Sequence, residues 1–193
     1  EFIQLYKSKI HEYDELVTGN IIFQNRMKGV GMLSAEDAIS YGCTGPVARG
    51  SGVSSDIRKV QPYEIYDKLE FDEVLETGCD SFARYLIRIK EMNQSIRIVE
   101  QLIDNIPEGD FQAKTKAVLK LPKGEFYTRV ETARGELGVY IVSEGGTTPY
   151  RIKFRSPGFS NLSVLDKIAR GGKIGDLIAM MGTLDLVIPD IDR

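Results

Sequence analysis

The chain has 193 residues, 25 basic against 28 acidic, a formal net charge of −3 and 42% hydrophobic side chains. That is apolar material for one globular domain or two small ones, and too much for a disordered chain. No apolar run approaches the roughly 20 residues of a membrane helix, residues 1–7 lack the regions of a signal peptide, and with only Cys43, Cys79 and His11 a zinc or iron–sulfur site held by this chain alone is not expected.

Phe2, Leu5, Tyr6, Ile10, Tyr13 and Leu16 recur at three- and four-residue intervals, so residues 3–18 read as an amphipathic helix ended at Gly19 and Asn20. His11 lies on it among charged neighbours, with no acid–base partner in its motif, and is expected on a solvated or partly packed face. Residues 21–28 continue as a second helical piece. Ser34, with Asp37 three residues on, is placed to cap a short helix to Tyr41. Residues 43–66 contain Gly45, Gly50, Gly52, Pro46 and Pro62 and read as irregular. There Arg49, Arg58 and Asp56 are suited to tying down a loop by charge-assisted hydrogen bonds. Gly50-Ser51-Gly52 lacks the preceding strand and following helix of a phosphate loop and reads as a turn.

Asp80 opens the longest helix. Phe82, Leu86, Ile89, Ile96, Val99, Ile103 and Ile106 form its apolar stripe, Arg84, Arg88, Lys90, Glu91, Arg97 and Glu100 fill the rest, and Pro107 with Gly109 ends it. A polar, Lys-rich connector follows over residues 110–123. Residues 125–131 read as a strand with Phe126, Thr128 and Val130 on one face. Residues 138–143 and 150–155 are two more, joined through Gly145 and Gly146 in a hairpin, which gives the three strands a small sheet needs. Arg151, Lys153 and Arg155 share a face, which is either a solvated sheet surface or a docking surface for an acidic partner. Ser156-Pro157-Gly158 stops the third strand. Ser160 or Asn161 is placed to cap a helix through Ala169, Gly171-Gly172 breaks it, and residues 174–181, apolar almost all round, predict a buried last helix.

The fold class is therefore α+β: a mainly helical part over residues 1–109, the connector, and a small antiparallel sheet followed by short helices over residues 124–193. No nucleophile elbow, Walker loop, dinucleotide fingerprint or metal-ligand spacing is present in the sequence, which argues against an independent enzyme.

Three blocks carry a family resemblance: Gly45 to Val53 with Asp56 to Lys59, Arg134 to Phe159, and Gly182 to Val187 leading to Asp192 and Arg193. In order and spacing they resemble the 49-kDa subunit family of respiratory complex I, a relative of the nickel–iron hydrogenase large subunit. The resemblance implies long helices of a hydrogenase-like bundle and a carboxyl-terminal part of a larger subunit. The quinone-contacting His and Tyr of the family would lie in the amino-terminal half.

It further implies a proton-translocating NADH-quinone oxidoreductase, in which electrons pass from an iron–sulfur cluster of a neighbouring subunit to quinone. No cofactor is expected on this chain itself; quinone is the substrate, and NAD(H) or another donor binds elsewhere. The implied partners are the other peripheral-arm and membrane subunits, with no nucleic acid, and the implied location is peripheral, on the cytoplasmic side of the membrane. Hydrogenases hold their metal with a Cys-x-x-Cys pair near the carboxyl end, and Val187 stands where the first thiolate would be. The resemblance thus makes the former metal cavity an apolar quinone pocket, with Asp185 and Val187 as candidate lining. Arg49, Arg58 and Arg134 become candidate contacts to a redox centre or a neighbouring subunit. A scaffold module of the peripheral arm is the alternative, and a nickel–iron hydrogenase is disfavoured by the lost thiolates.

Overall fold

Among the described residues, side-chain oxygens start five of the ten α-helices by taking up amides that have no partner within the helix. The computed structural model describes residues 1–115 and 117–192; Lys116 of the connector and Arg193, which closes the third sequence block, lie outside the described residues. Helix α1 (Phe2–Tyr13) runs into a π-helical turn (Asp14–Thr18), after which Asn20 Oδ1 accepts from the amides of Ile22 and Phe23 to cap α2 (Ile21–Met27). Ser34 caps α3 (Ala35–Ser40) through the Asp37 amide, as their spacing predicts. The stretch over residues 43–66 is more regular than its glycines and prolines suggest. Pro46 opens α4 (Pro46–Arg49) at a position where no amide is needed, and Asp56 caps α5 (Ile57–Val60). Asp80 Oδ1 accepts from the Ala83 amide and starts α6 (Ser81–Ile103).

Strands β1 (Gly124–Thr132), β2 (Gly135–Ser143) and β3 (Arg151–Arg155) form one antiparallel sheet in the order β1-β2-β3. Tyr127 stands opposite Tyr140, and Tyr140 opposite Lys153. Ser156 then caps α7 (Pro157–Leu162), followed by α8 (Leu165–Ala169), α9 (Ile174–Leu184) and α10 (Ile188–Ile191). The single helix expected to begin at Ser160 or Asn161 is thus two, because Ser156 caps earlier and Asn161 is committed elsewhere.

The main core gathers Leu33, Ala38, Val47, Ala48, Val164, Ile168, Met180 and Leu184. The first half of α6 is packed by α2, α4 and α9, so Ala83, Arg84 and Ile87 are buried there, and the expected stripe is only half-buried. Its second half rests on an extended segment. Leu69 and Phe71 pack against Ile98, while the Gln101 and Gln94 side chains accept from the amides of Glu70 and Asp72. Val99 and Ile103, placed in the buried stripe by periodicity, are exposed because that segment covers a different side of the helix, which also ends at Ile103 and not beyond Ile106.

Two further expectations are corrected. Along α1 and the π-helical turn after it the apolar line is mostly outside: Ile10 is buried, but Phe2, Leu5 and Leu16 are exposed, and α1 is tied to α6 by a 2.6 Å Lys7–Glu100 ion pair. On α9, Met180 and Leu184 are buried, whereas Ile174 and Ile178 are 87% and 74% exposed, so the helix is not buried all round. Its apolar composition exceeds what the described residues can cover. Among the described residues no helix is long and apolar enough to cross a membrane.

Candidate functional site

The three sequence blocks meet at one place. At the turn between β1 and β2, the Gly135 Cα lies so close to the loop before α4 that a Cβ there would stand 2.5 Å from Thr44 Oγ1 and 2.8 Å from the Gly45 amide nitrogen. The relation is reciprocal: a Cβ on Gly45 would stand 2.4 Å from the carbonyl oxygen of Arg134. Both glycines have positive φ, 65° at Gly45 and 129° at Gly135, a conformation L side chains disfavour. Two backbones touch because neither carries a side chain at the contact.

Asn161, fully buried on α7, closes this junction. Its Oδ1 accepts from the Thr44 amide at 3.2 Å and its Nδ2 donates to the Arg134 carbonyl at 3.3 Å. Thr44 Oγ1 accepts from the Glu136 amide, and the Arg155 guanidinium donates to the carbonyls of Glu136 and Gly42. Of the three cations on the β3 face, Arg155 is therefore part of the framework.

The carboxyl-terminal block arrives beside it. Thr183 Oγ1 accepts from Arg84 Nε at 3.2 Å and donates to the Met180 carbonyl at 3.0 Å, so the end of α9 is pinned to α6. Arg84 is completely buried and its other bonds go to the Gly31 carbonyl and Ser81 Oγ. Burial, with the Arg88 charge adding to it, pulls Arg84 down to about 10. Arg88 is also lowered by burial, partly offset by Asp185 and Glu91. Periodicity places both arginines on the polar side of α6; only contacts about 100 residues away in sequence, such as that to Thr183, reveal that side as interior.

Asp185 ends α9 in the left-handed conformation, φ 55° and ψ 54°, which is strained for a non-glycine residue. Its carboxylate, 37% exposed, lies 3.5 Å from Nε of Arg134, which is 34% exposed. Val187, half-buried, precedes the first turn of α10. That short helix is held to α7 by Asp190, whose carboxylate accepts from the Gly158 amide at 2.8 Å. Asp185 and Arg134 are thus brought together at a partly open position, with Val187 two residues further along the chain.

Arg49 and Arg58 are not part of that arrangement. Arg49, 1% exposed, donates through Nε to Glu91 at 2.7 Å and through Nη1 to Glu131 at 2.8 Å. Burial opposes its charge, but Glu91 and Glu131 outweigh it and raise the pKa. Glu131 is raised by its own burial, which Arg49 offsets only in part, with the Asp56 charge adding to the rise. Arg58 forms a bidentate pair with the buried Asp56, at 2.9 and 2.7 Å, and lies over the Phe71 ring at 4.9 Å. The Arg49 pairs fasten the 49–58 segment to α6 and β1, while the Arg58–Asp56 pair lies within it. His11 is exposed on α1, 3.4 Å from Glu15. Among the described residues no group of three or more His, Cys, Asp or Glu is placed to hold a metal ion.

The fold and site define a helical α+β scaffold whose three sequence blocks cross at one buried polar junction, with a strained acidic turn at its rim. The model of the respiratory-chain NADH dehydrogenase 49-kDa subunit family matches residues 1–123 and 111–193, and the chain belongs to that family. It is 54% identical over 193 residues to the C/D subunit of NADH-quinone oxidoreductase from Bacteroides fragilis, covering 100% of this chain and 36% of that protein. It is 47% identical to the D 2 subunit of the same oxidoreductase from Solibacter usitatus and to the D subunit from Desulfotalea psychrophila, in each case covering 100% of this chain and 52% of the relative. The chain therefore spans about half the length of the D relatives and about a third of the C/D relative.

Proposed function

We propose that this chain forms part of the quinone site of a complex I type NADH-quinone oxidoreductase. In that role the turn after α9 lines the cavity where the quinone headgroup is reduced, Val187 supplying an apolar wall and Asp185 a polar edge held by Arg134. Electrons arrive from an iron–sulfur cluster in a neighbouring subunit, NAD(H) or another donor binds elsewhere, and membrane subunits carry the coupled protons. The chain sits peripherally, on the cytoplasmic side of the membrane, through those partners, and is inactive alone. What supports this reading is the left-handed Asp185: strain in a non-glycine residue is kept where a side chain must point to one place, and here it points to a partly open edge.

A scaffold reading is favoured by a different observation, the internal ion pairs of Arg49 and Arg58, which leave these arginines few donors for a redox centre. The two readings separate in the intact complex. Val187→Met narrows a pocket wall at less cost than the roughly 1–3 kcal/mol of overpacking a filled core, so it is expected to change quinone-site inhibitor sensitivity at normal subunit content. Asp185→Asn is expected to slow quinone reduction more than it lowers subunit content. Unchanged inhibitor response and quinone kinetics in both variants leave the scaffold reading.

A further inference from the structure

β3 is the outer strand of the sheet: it pairs with β2 on one side and with no strand among the described residues on the other. Unpaired edges with free backbone groups are templates for strand addition. Most of β3 is exposed, and an open cavity of about 960 Å³ runs along it, floored by Tyr127, Tyr140 and Lys153 and walled by Phe159 of α7 and Ile191 of α10. Phe159, among its lining residues, is 64% exposed.

The groove is locally cationic in a chain of net negative charge, with Arg151, Lys153 and Arg155 among its lining residues. Acidic residues outnumber basic ones by 28 to 25, and Arg49, Arg58, Arg97, Arg129, Arg134, Lys167 and Arg170 each have a carboxylate within 4.0 Å. Arg151 and Lys153 have no such partner among the described residues, although Glu125 stands on the same sheet face, accepting from the Tyr140 hydroxyl. Two residues apart on a strand, Arg151 and Lys153 project from the same face roughly 7 Å apart, the spacing of alternate side chains on a strand laid alongside.

We propose that the open edge of β3 receives an extended acidic segment of a partner subunit, adding a fourth strand whose alternate carboxylates stand opposite Arg151 and Lys153. The inference rests on the reading that the chain works within a multisubunit assembly. A second copy of this chain is a poor occupant, because antiparallel pairing of β3 with itself sets Lys153 against Lys153 and Arg151 against Arg155, and like charges directly opposite are destabilising. Tyr127, Tyr140 and Phe159 give the incoming strand apolar area, and the two cations set its register.

The test uses the purified assembly with the full-length subunit, carrying Ile152→p-benzoylphenylalanine as a photo-crosslinker. The expected product joins β3 to a partner-subunit segment with acidic residues at alternate positions. Adding Arg151→Glu and Lys153→Glu lowers that crosslink about tenfold or more, as loss of paired charges implies, at unchanged content of this subunit. A crosslink to lipid, to a second copy or to a segment without acidic residues overturns the proposal, as does an intact assembly that yields no crosslink or a yield that ignores charge reversal. If no other subunit co-purifies at all, it is the assembly reading that has failed.

Discussion

The junction at Asn161 and the outer sides of α1 and α9 reverse the usual distribution of polar and apolar groups. At the junction, Asn161, Thr44, Arg84 and Glu136 are buried, and each is held by hydrogen bonds. On the outer sides, Phe2, Leu5, Ile174 and Ile178 are large, apolar and exposed. Two kinds of information therefore shape this chain. The junction is specified internally, since a buried polar group left without a partner costs more than a bonded one contributes. The outer sides are not needed to hold this fold, and contiguous apolar surface of this kind marks contact with something else.

The largest effect is expected at the junction's backbone contact. Gly135→Ala puts a Cβ within 2.5 Å of Thr44 at a positive φ, so overpacking and backbone strain act together and destabilise by roughly 3–5 kcal/mol. Urea unfolding of the full-length subunit measures this; a loss below about 1 kcal/mol means that the two segments do not touch. Asn161→Ala comes next. It leaves the Thr44 amide and the Arg134 carbonyl unsatisfied, and about 2–3 kcal/mol of stability is expected to go, read in the same unfolding experiment. Asn161→Asp should behave differently at the two ends, keeping the acceptor for Thr44 and losing the donor to Arg134. The smallest effect belongs to the outer side: Ile178→Gln should shift the stability of the isolated subunit by no more than about 0.5 kcal/mol, while reducing its self-association in sedimentation. A loss of stability comparable to that of Asn161→Ala breaks the comparison, because α9 would then be buried on that side.

Local features of the fold are legible in the sequence. Ser34 and Asp80 start helices because their oxygens stand at cap spacing, and the alternation over residues 150–155 makes a strand. Of the residues named from the family resemblance, Arg134 and Asp185 stand 3.5 Å apart, a contact the sequence alone does not show. What stays hidden is long-range. Arg84 reads as a surface cation on a helical wheel, and Asn161 as a helix cap; their partners are 99 residues away at Thr183 and 117 at Thr44, and periodicity carries no information at that distance. The exposed apolar sides mislead for a related reason: hydrophobic spacing shows that a face is to be covered, not by which part of which chain.

The contact between Gly45 and Gly135 constrains how this chain can vary. A buried apolar position such as Ile87 can take another apolar side chain of similar volume, so that position has several workable sequences. Two backbones meeting face to face have nothing to trade. Each glycine occupies the space in which the other's replacement would sit, so no change at one can accommodate a Cβ at the other. The route by which the first and second blocks find each other thus has a single solution in the side-chain alphabet, and it is written at two positions 90 residues apart that must both stay bare.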